Sequence, residues 1–200
     1  MKKIVLVANV GFTISNFRKE LIETFLDKGD EVVILCKRTD DLKPFEDLGV
    51  KTYNIPLVRH GMNPFKELEL VIEIYKIFKL EKPDIILNYT IKPNLYGSLM
   101  GAIAGVPTIC SNITGLGVVF TGRSLKRKIF RQLIKVLYWF VFRYNKIVFF
   151  QNKDDFNLFA KATFKVNEQL SLFADLQNRN VSYKANGVQV NLVIKRANRK

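Results

Sequence analysis

The stretch that decides the fold is Asn88–Gly117, NYTIKPNLYGSLMGAIAGVPTICSNITGLG. Its pattern is typical of a strand end, a helix and a second strand, because Pro93 suits the first position of a helix and Gly105 separates that helix from a second apolar run. Polar residues follow both apolar runs, first Asn88–Thr90 and then Ser111–Gly117. Ligands of open parallel sheets bind outside the carboxyl ends of the strands, so we predict a substrate site at these two polar ends.

Strand and helix patterns also alternate on the amino-terminal side. The predicted strands are Ile4–Ala8, Glu31–Cys36 and Val50–Ile55. Asn9–Ser15 is predicted to be a loop, with Ser15 as the cap of a helix that Gly29 ends. Asn63-Pro64 predicts the start of a long helix whose apolar row faces the core. The members of that row are Phe65, Leu68, Val71, Ile72, Tyr75 and Phe78.

The carboxyl-terminal side continues the alternation. A helix is predicted over Ser124–Tyr144, a strand over Lys146–Phe150 and another helix over Asn152–Ala160. The whole pattern predicts an α/β fold, a three-layer Rossmann-like domain with a mainly parallel, doubly wound sheet. Residues 1–161 form this domain in our interpretation. Residues 162–200 read as a linker-like basic tail.

The composition is strongly basic, with 32 Lys and Arg against 18 Asp and Glu in 200 residues. No acidic residue lies between Asp84 and Asp154. Such a field attracts phosphates of nucleotides, lipid head groups or nucleic acids, although an AT-rich genome would also enrich lysine. We find no nucleic-acid-binding motif and predict no nucleic-acid partner.

Several classes of site are disfavoured. The turn after the first strand has only Gly11 where a dinucleotide site needs several glycines, so no NAD or FAD cofactor is expected. His60 is the only histidine and has no Cys or carboxylate at ligand spacing, so we predict no metal site. Cys36 and Cys110 close interior strands and are predicted to be buried, reduced thiols, which fits a cytoplasmic location.

The helix predicted over Ser124–Tyr144 has two interpretations. Four cations near its start and Trp139 further on suit an interfacial helix on an anionic membrane surface. The cations are Lys126, Arg127, Lys128 and Arg131. A core helix with a charged first turn fits the same residues.

Five motifs, in order, resemble the amino-terminal domain of GT-B glycosyltransferases of family 4, which build capsular, O-antigen and exopolysaccharide repeats. The motifs are Val10–Arg18, Gly61–Phe65, Thr90–Asn94 with Tyr96-Gly97, Ser111–Gly117 and Gln151–Asp155. Asn186-Gly187-Val188 looks like the short linker into the second domain of these enzymes.

The resemblance implies a sugar transferase whose substrates are a UDP-linked nucleotide-sugar and a lipid-linked saccharide. A loop with Gly11, Phe12, Asn16 and Arg18 would face the donor phosphates. The acceptor side would be formed by the polar residues at the two strand ends. These are Asn88, Tyr89, Thr90, Lys92, Asn94, Asn112, Thr114, Gly115 and Gly117.

Two departures from the family pattern matter. Many relatives have histidines where this chain has Asn88 and Asn112, so no catalytic residue is assigned. The donor-binding second domain of the family is not found in these 200 residues. We therefore expect the acceptor-binding half of a retaining hexosyltransferase, peripheral to the inner face of the cell membrane. The alternatives are a non-catalytic membrane-associated subunit that recruits a separate donor-binding chain, or an inactive relic.

Overall fold

The structure is a computed structural model that describes residues 1–58, 63–114, 125–151, 174–175, 180–185 and 188–193. The chain divides into two compact units, residues 1–110 and 111–200. His60, Gly115, Gly117 and the helix predicted over Asn152–Ala160 lie outside the described residues.

The described residues of the first unit form five strands and four helices. The strands are β1 (Lys3–Val10), β2 (Glu31–Lys37), β3 (Lys51–Asn54), β4 (Ile85–Tyr89) and the first half of β5 (Thr108–Ile113). The helices are α1 (Gly11–Asp27), α2 (Lys43–Glu46, after a 3₁₀ turn over Asp40–Leu42), α3 (Pro64–Glu81) and α4 (Ser98–Ala104, after a π-helical segment over Pro93–Gly97). Within this unit the strands are arranged in the order β3-β2-β1-β4-β5.

Strand β1 lies at the centre of this sheet and pairs in parallel with β2 on one side and β4 on the other. Its residues alternate between two cores. Ile4 and Leu6 pack on one face with Ile14 and Ile22 of α1, whereas Val5 and Val7 belong to the core on the other face. Helices α3 and α4 supply that second core with Leu70, Ile74, Ile77, Phe78 and Met100. The predicted three-layer, doubly wound α/β fold is therefore confirmed.

The second unit begins within β5 and continues through α5 (Leu125–Phe142) and β6 (Ile147–Phe150). Its remaining strands are β7 (Ala174–Asp175), β8 (Asn180–Ala185) and β9 (Val188–Val193). Strand β9 pairs in parallel with β6 and antiparallel with β8. The sequence analysis missed these strands, although Asn-Gly between two short runs is the dipeptide most typical of a two-residue hairpin connection.

The loop predicted after β1 and its helix cap were both wrong. Asn9–Ser15 is not a loop, because β1 runs to Val10 and α1 begins at Gly11. Ser15 lies inside the helix, and its hydroxyl donates to the carbonyl of Phe12 at 3.1 Å. Glycine allows this early start because a Cβ at position 11 would lie 2.3 Å from Thr39 Oγ1.

Helix α3 begins as predicted, with Asn63 Oδ1 accepting from the backbone N–H of Phe65 at 3.0 Å. Half of its predicted apolar row is wrong, since Phe65, Leu68 and Ile72 are exposed. Phe78 of the predicted row is buried, and Val71 and Tyr75 are partly buried against the core. The other buried residues of the helix are Leu70, Ile74, Ile77 and Glu81. Two rows of helical spacing exist on this helix, and the sequence pattern could not tell which one the sheet covers.

A buried carboxylate ties the amino-terminal edge of the sheet together. The Glu81 side chain, 3% exposed, accepts from Lys3 Nζ at 3.0 Å, Lys51 Nζ at 3.3 Å and Tyr53 OH at 2.6 Å. Burial alone would raise the pKa of Glu81, but these three hydrogen bonds outweigh it and hold the pKa below its ordinary value of 4.5.

We expect Glu81→Gln to lower the free energy of unfolding by about 2–3 kcal/mol at pH 7, because the charged partners lose their buried anion. A carboxylate with a lowered folded pKa stabilises the protein above its unfolded pKa, and this contribution is lost as the pH falls through the folded pKa. The difference between the two proteins in urea unfolding should therefore shrink below about pH 4.5. Glu23→Gln, at an exposed pair with Lys19, is the control and should change stability little. An equal effect of both substitutions would contradict the assignment.

Candidate functional site

The carboxyl ends of β1 and β4 lie side by side where the strand order reverses. Val7 of β1 is in register with Asn88 of β4. The chain winds from β1 through α1 towards β2 and β3, and later returns through α3 to the other side of β1. Such a switch point opens a crevice between neighbouring strand ends, where ligands of this type of sheet bind. The structure therefore brings the β1 end and the predicted site residues at the end of β4 to one edge.

Asn88 is completely buried at this edge. Its Nδ2 donates to Ser98 Oγ at 3.2 Å, which links β4 to the start of α4. A Cβ at position 97 would lie 2.1 Å from Asn88 Oδ1, so Gly97 allows the π-helical segment to approach the strand. Asn94 is also buried, and its backbone N–H donates to the carbonyl of Thr90 at 3.0 Å. The two asparagines are thus positioned beneath the edge, where they fix the chain that follows β4.

Thr90 marks the turn between β4 and this helical segment. Its φ is 76°, in the left-handed region that β-branched residues rarely adopt. Such a conformation costs about 1–3 kcal/mol and persists only where the surroundings enforce it, which is most often at functional sites. The strained residue coincides with the predicted acceptor side.

Arg18 and Tyr89 form a stacked pair between α1 and the end of β4. The guanidinium carbon lies 4.4 Å from the centre of the Tyr89 ring, within the range of a cation–π contact. Nη1 of Arg18 also donates to the carbonyl of Phe17 at 2.7 Å. Burial raises the pKa of Tyr89 to about 12, although the nearby Arg18 charge acts in the opposite direction. The phenol is therefore neutral at physiological pH.

The four residues predicted to face the donor phosphates lie in the first two turns of α1 instead of a loop. Gly11 is buried against the 3₁₀ turn, whereas Phe12 is exposed. Asn16 Nδ2 donates to the carbonyl of Phe12 at 3.1 Å. Their role towards phosphates stays a prediction.

Lys92 is held in a polar network that connects α3 with the segment after β4. Its Nζ donates to the carbonyl of Val58 at 2.8 Å and forms an ion pair with Glu67, whose other oxygen accepts from Tyr96 OH at 2.8 Å. Burial and the hydrogen bond to Glu67 raise the pKa of Tyr96. Sequence reasoning missed Glu67 and Tyr96 because these contacts join residues that are far apart in the chain.

The end of β5 was also predicted to contribute. Strand β5 is longer than expected, because it includes Ser111 and Asn112, which the sequence analysis places after the second apolar run. Ser111 is buried, Asn112 is half-buried and Thr114 is exposed just after the strand. The backbone N–H of Gln151 donates to the carbonyl of Ile113 at 3.3 Å. Of these residues, Thr114 is the one whose side chain is open to a ligand.

Helix α5 is apolar on two opposite sides. Ile134, Tyr138, Val141 and Phe142 are buried, while a second row of helical spacing is exposed. This exposed row consists of Ile129, Leu133, Val136 and Phe140. Arg143 lies beside it, 4.5 Å from the ring centre of Trp139, itself half exposed, and 4.9 Å from that of Phe140. The side chains of Lys126, Arg127, Lys128 and Arg131 lie outside the described residues.

No helix within the described part of the chain combines the length and the apolarity needed to cross a bilayer. Cys36 and Cys110 are buried thiols as predicted, and burial raises the pKa of the Cys36 thiol to about 12.

Solved structures with this fold include a glycosyltransferase from Rickettsia africae and the HepE protein of Anabaena in complex with UDP and glucose. The two are each 14% identical to this chain, with TM-scores of 0.56. They match 84% and 81% of this chain, respectively, and in each case 41% of the solved chain. At this identity they support the fold alone.

Two curated relatives are transferases. The first is N,N'-diacetylbacillosaminyl-diphospho-undecaprenol alpha-1,3-N-acetylgalactosaminyltransferase of Campylobacter jejuni, 25% identical over 166 residues, which are 83% of this chain and 44% of that protein. The second is UDP-Gal:alpha-D-GlcNAc-diphosphoundecaprenol alpha-1,3-galactosyltransferase of Escherichia coli, 27% identical over 107 residues, which are 54% of this chain and 27% of that protein. The chain thus spans less than half the length of either relative.

The model of the family described as "Glycosyl transferase 4-like" matches residues 3–152. This range covers β1 to β6 and includes the β1–β4 switch point with the polar residues around it. The chain therefore belongs to the glycosyl transferase 4-like family.

Proposed function

We propose that this chain is the acceptor-binding half of a retaining hexosyltransferase of surface-polysaccharide assembly. The nucleotide-sugar donor, UDP-linked in this proposal, and the lipid-linked saccharide acceptor are its substrates. The single observation that carries the proposal is the family match over residues 3–152, which contains the polar strand ends at the switch point. Both curated relatives have a diphospho-undecaprenol-linked sugar in their names, and one names UDP-Gal.

The linkage in those names supports the retaining part of the proposal. Both relatives are described as alpha-1,3 transferases. An α-linked product formed from an α-linked nucleotide-sugar keeps the configuration of the transferred carbon. We extend this stereochemistry to the present chain as part of the proposal.

We assign acceptor binding to this chain and donor binding to a second half because of the fraction of each relative that this chain matches. At 44% and 27% of their lengths, the match leaves more than half of each relative outside it. We propose that residues 1–161 are the acceptor-side domain and that residues 162–200 lead towards a donor-binding half. In this proposal the donor diphosphate is stabilised mainly by that second half.

The exposed face of α5 supports a peripheral position on the inner face of the cell membrane. A contiguous exposed apolar row is unusual on a soluble surface, and it marks a docking site for lipid or protein. The span from Ile85 to Lys153 contains no acidic residue, so anionic lipid would meet no repulsion there. We therefore propose that the row of Ile129, Leu133, Val136 and Phe140 contacts the bilayer, with Arg143 and Trp139 at the level of the head groups.

The test of transfer uses labelled UDP- and GDP-sugars, a bacterial lipid extract and this chain, with and without a donor-domain chain from a family member. We expect label in the lipid fraction only when the donor half is present. Thr114→Val should then raise KM for the acceptor about fivefold and leave KM for the nucleotide-sugar unchanged, because one hydrogen bond to a sugar hydroxyl is worth about 1 kcal/mol. Thr24→Val, an exposed threonine of α1, is the matched control.

Transfer by the chain alone would contradict the division of labour. Absence of transfer under both conditions would favour the non-catalytic subunit or the relic.

The membrane contact is tested by sedimentation with vesicles that contain phosphatidylglycerol. We expect Ile129→Ser/Val136→Ser to weaken binding at least about tenfold, since two apolar side chains lose their lipid contact. Ile103→Ser/Leu48→Ser changes two equally exposed apolar residues elsewhere and should bind like the wild type. Equal sedimentation of all three proteins would show that α5 does not contact the bilayer.

A further inference from the structure

The row of α1 that faces the sheet contains an arginine. Ile14 and Ile22 of this row are buried in the core on that face of the sheet, at 1% and 0% exposure. Arg18 lies four residues from each of them, so the three side chains are on the same side of the helix. Arg18 is only partly exposed, whereas its neighbours Phe17 and Lys19 are exposed. For packing alone, an apolar residue would suit this position better than a cation.

The Arg18 charge has no counter-ion within the part of the chain that the structure describes. Its guanidinium is stacked on the ring of Tyr89, which belongs to the same core, and donates to the carbonyl of Phe17. Lys92, at the same end of β4, is by contrast ion-paired with Glu67. A cation that is partly removed from water without an anion lowers stability, because its lost hydration is not replaced. The fold alone therefore does not explain Arg18.

The turn after Tyr89 has two further features that the fold does not compensate. Thr90 has a φ of 76°, and its Oγ1 is buried without a hydrogen-bond partner among the described residues. The same holds for Oδ1 of Asn9, near the end of the neighbouring strand β1. Strained residues concentrate at ligand sites, and unpaired buried oxygens require an explanation of their own. The Arg18 guanidinium thus lies at an edge that combines strain, unpaired polar atoms and an unpaired charge.

The chemistry of Arg18 matches a diphosphate. A guanidinium has five N–H donors in a planar arrangement that fits phosphate oxygens, and the bond to Phe17 uses one of them. The position of the stacked pair favours the diphosphate of the acceptor over that of the donor. Tyr89 is the last residue of β4, on the side where we place the acceptor, whereas the second half is proposed to stabilise the donor diphosphate.

We propose that Arg18 binds the diphosphate of the lipid-linked acceptor. This proposal rests on the function proposed above, because it assigns a residue to the charged part of that same acceptor. The Tyr89 ring holds the guanidinium at the edge, and the ligand supplies the anion that the fold lacks. Arg18 is thereby assigned to the acceptor, whereas the family resemblance places it at the donor phosphates.

Calorimetric binding of farnesyl diphosphate and of UDP-glucose to this chain tests the proposal. We expect Arg18→Leu to weaken binding of farnesyl diphosphate at least about tenfold, because the anion loses a charged donor, and to leave UDP-glucose binding unchanged. Lys19→Leu makes the same change at the exposed neighbour and should bind both ligands like the wild type. Arg18→Leu should also keep the urea midpoint of the wild type, because leucine suits a row in which Ile14 and Ile22 are buried.

Three results would overturn the proposal. The first is unchanged binding of farnesyl diphosphate by Arg18→Leu. The second is a loss of UDP-glucose binding that equals or exceeds the loss for farnesyl diphosphate, because Arg18 would then not be specific to the acceptor. The third is a clear fall of the urea midpoint in Arg18→Leu, because Arg18 would then be a structural residue.

The outcome is separable from that of the proposed function. Binding of farnesyl diphosphate that depends on Arg18, combined with failure of sugar transfer, would refute only the proposed function. Sugar transfer in the presence of the donor half, with a KM for the acceptor that Arg18→Leu does not change, would refute only this proposal.

Discussion

The parallel pairing of β1 with both β2 and β4 is the constraint on which the rest of the first unit depends. A strand paired on both edges and covered on both faces has to be apolar throughout its middle, and Ile4–Ala8 meets this requirement. Parallel neighbours require crossover connections, which α1 and α3 provide on opposite faces. The reversal of winding direction at β1 then leaves its carboxyl end and that of β4 beside each other. The location of the candidate site is thus a consequence of topology.

The polar residues at this edge have different structural roles. Asn88 and Asn94 are buried and hold the backbone after β4, whereas Lys92 is directed to Glu67 and thereby fixes the start of α3. Arg18 is positioned on the Tyr89 ring. A rigid supporting layer of this kind keeps ligand-binding groups in place, because each side chain is oriented by a neighbour. The strained Thr90 lies in the middle of this layer, where its carbonyl accepts from the backbone N–H of Asn94.

Much of the fold could be predicted from the spacing of apolar residues and from the residues that begin or end helices. Asn63-Pro64, Gly29 and Gly105 marked helix ends correctly, since their roles depend on local backbone chemistry. Gly11 was misread as part of a loop because its actual role is close packing against Thr39, a contact between distant residues. The predicted apolar row of α3 was partly wrong for a related reason. Two rows of residues on this helix have helical spacing, and only tertiary packing determines which of them is buried. No local sequence pattern indicates the Lys92–Glu67–Tyr96 network.

The central claim is that the lipid-linked acceptor binds at the polar end of β4. Amide hydrogen exchange of the chain, with and without a farnesyl-diphosphate-linked sugar, measures this directly. The account predicts slower exchange over residues 88–96 when the ligand is present, with the amino-terminal edge around Glu81 unchanged. Unchanged exchange over residues 88–96, or slower exchange confined to other parts of the chain, would contradict it.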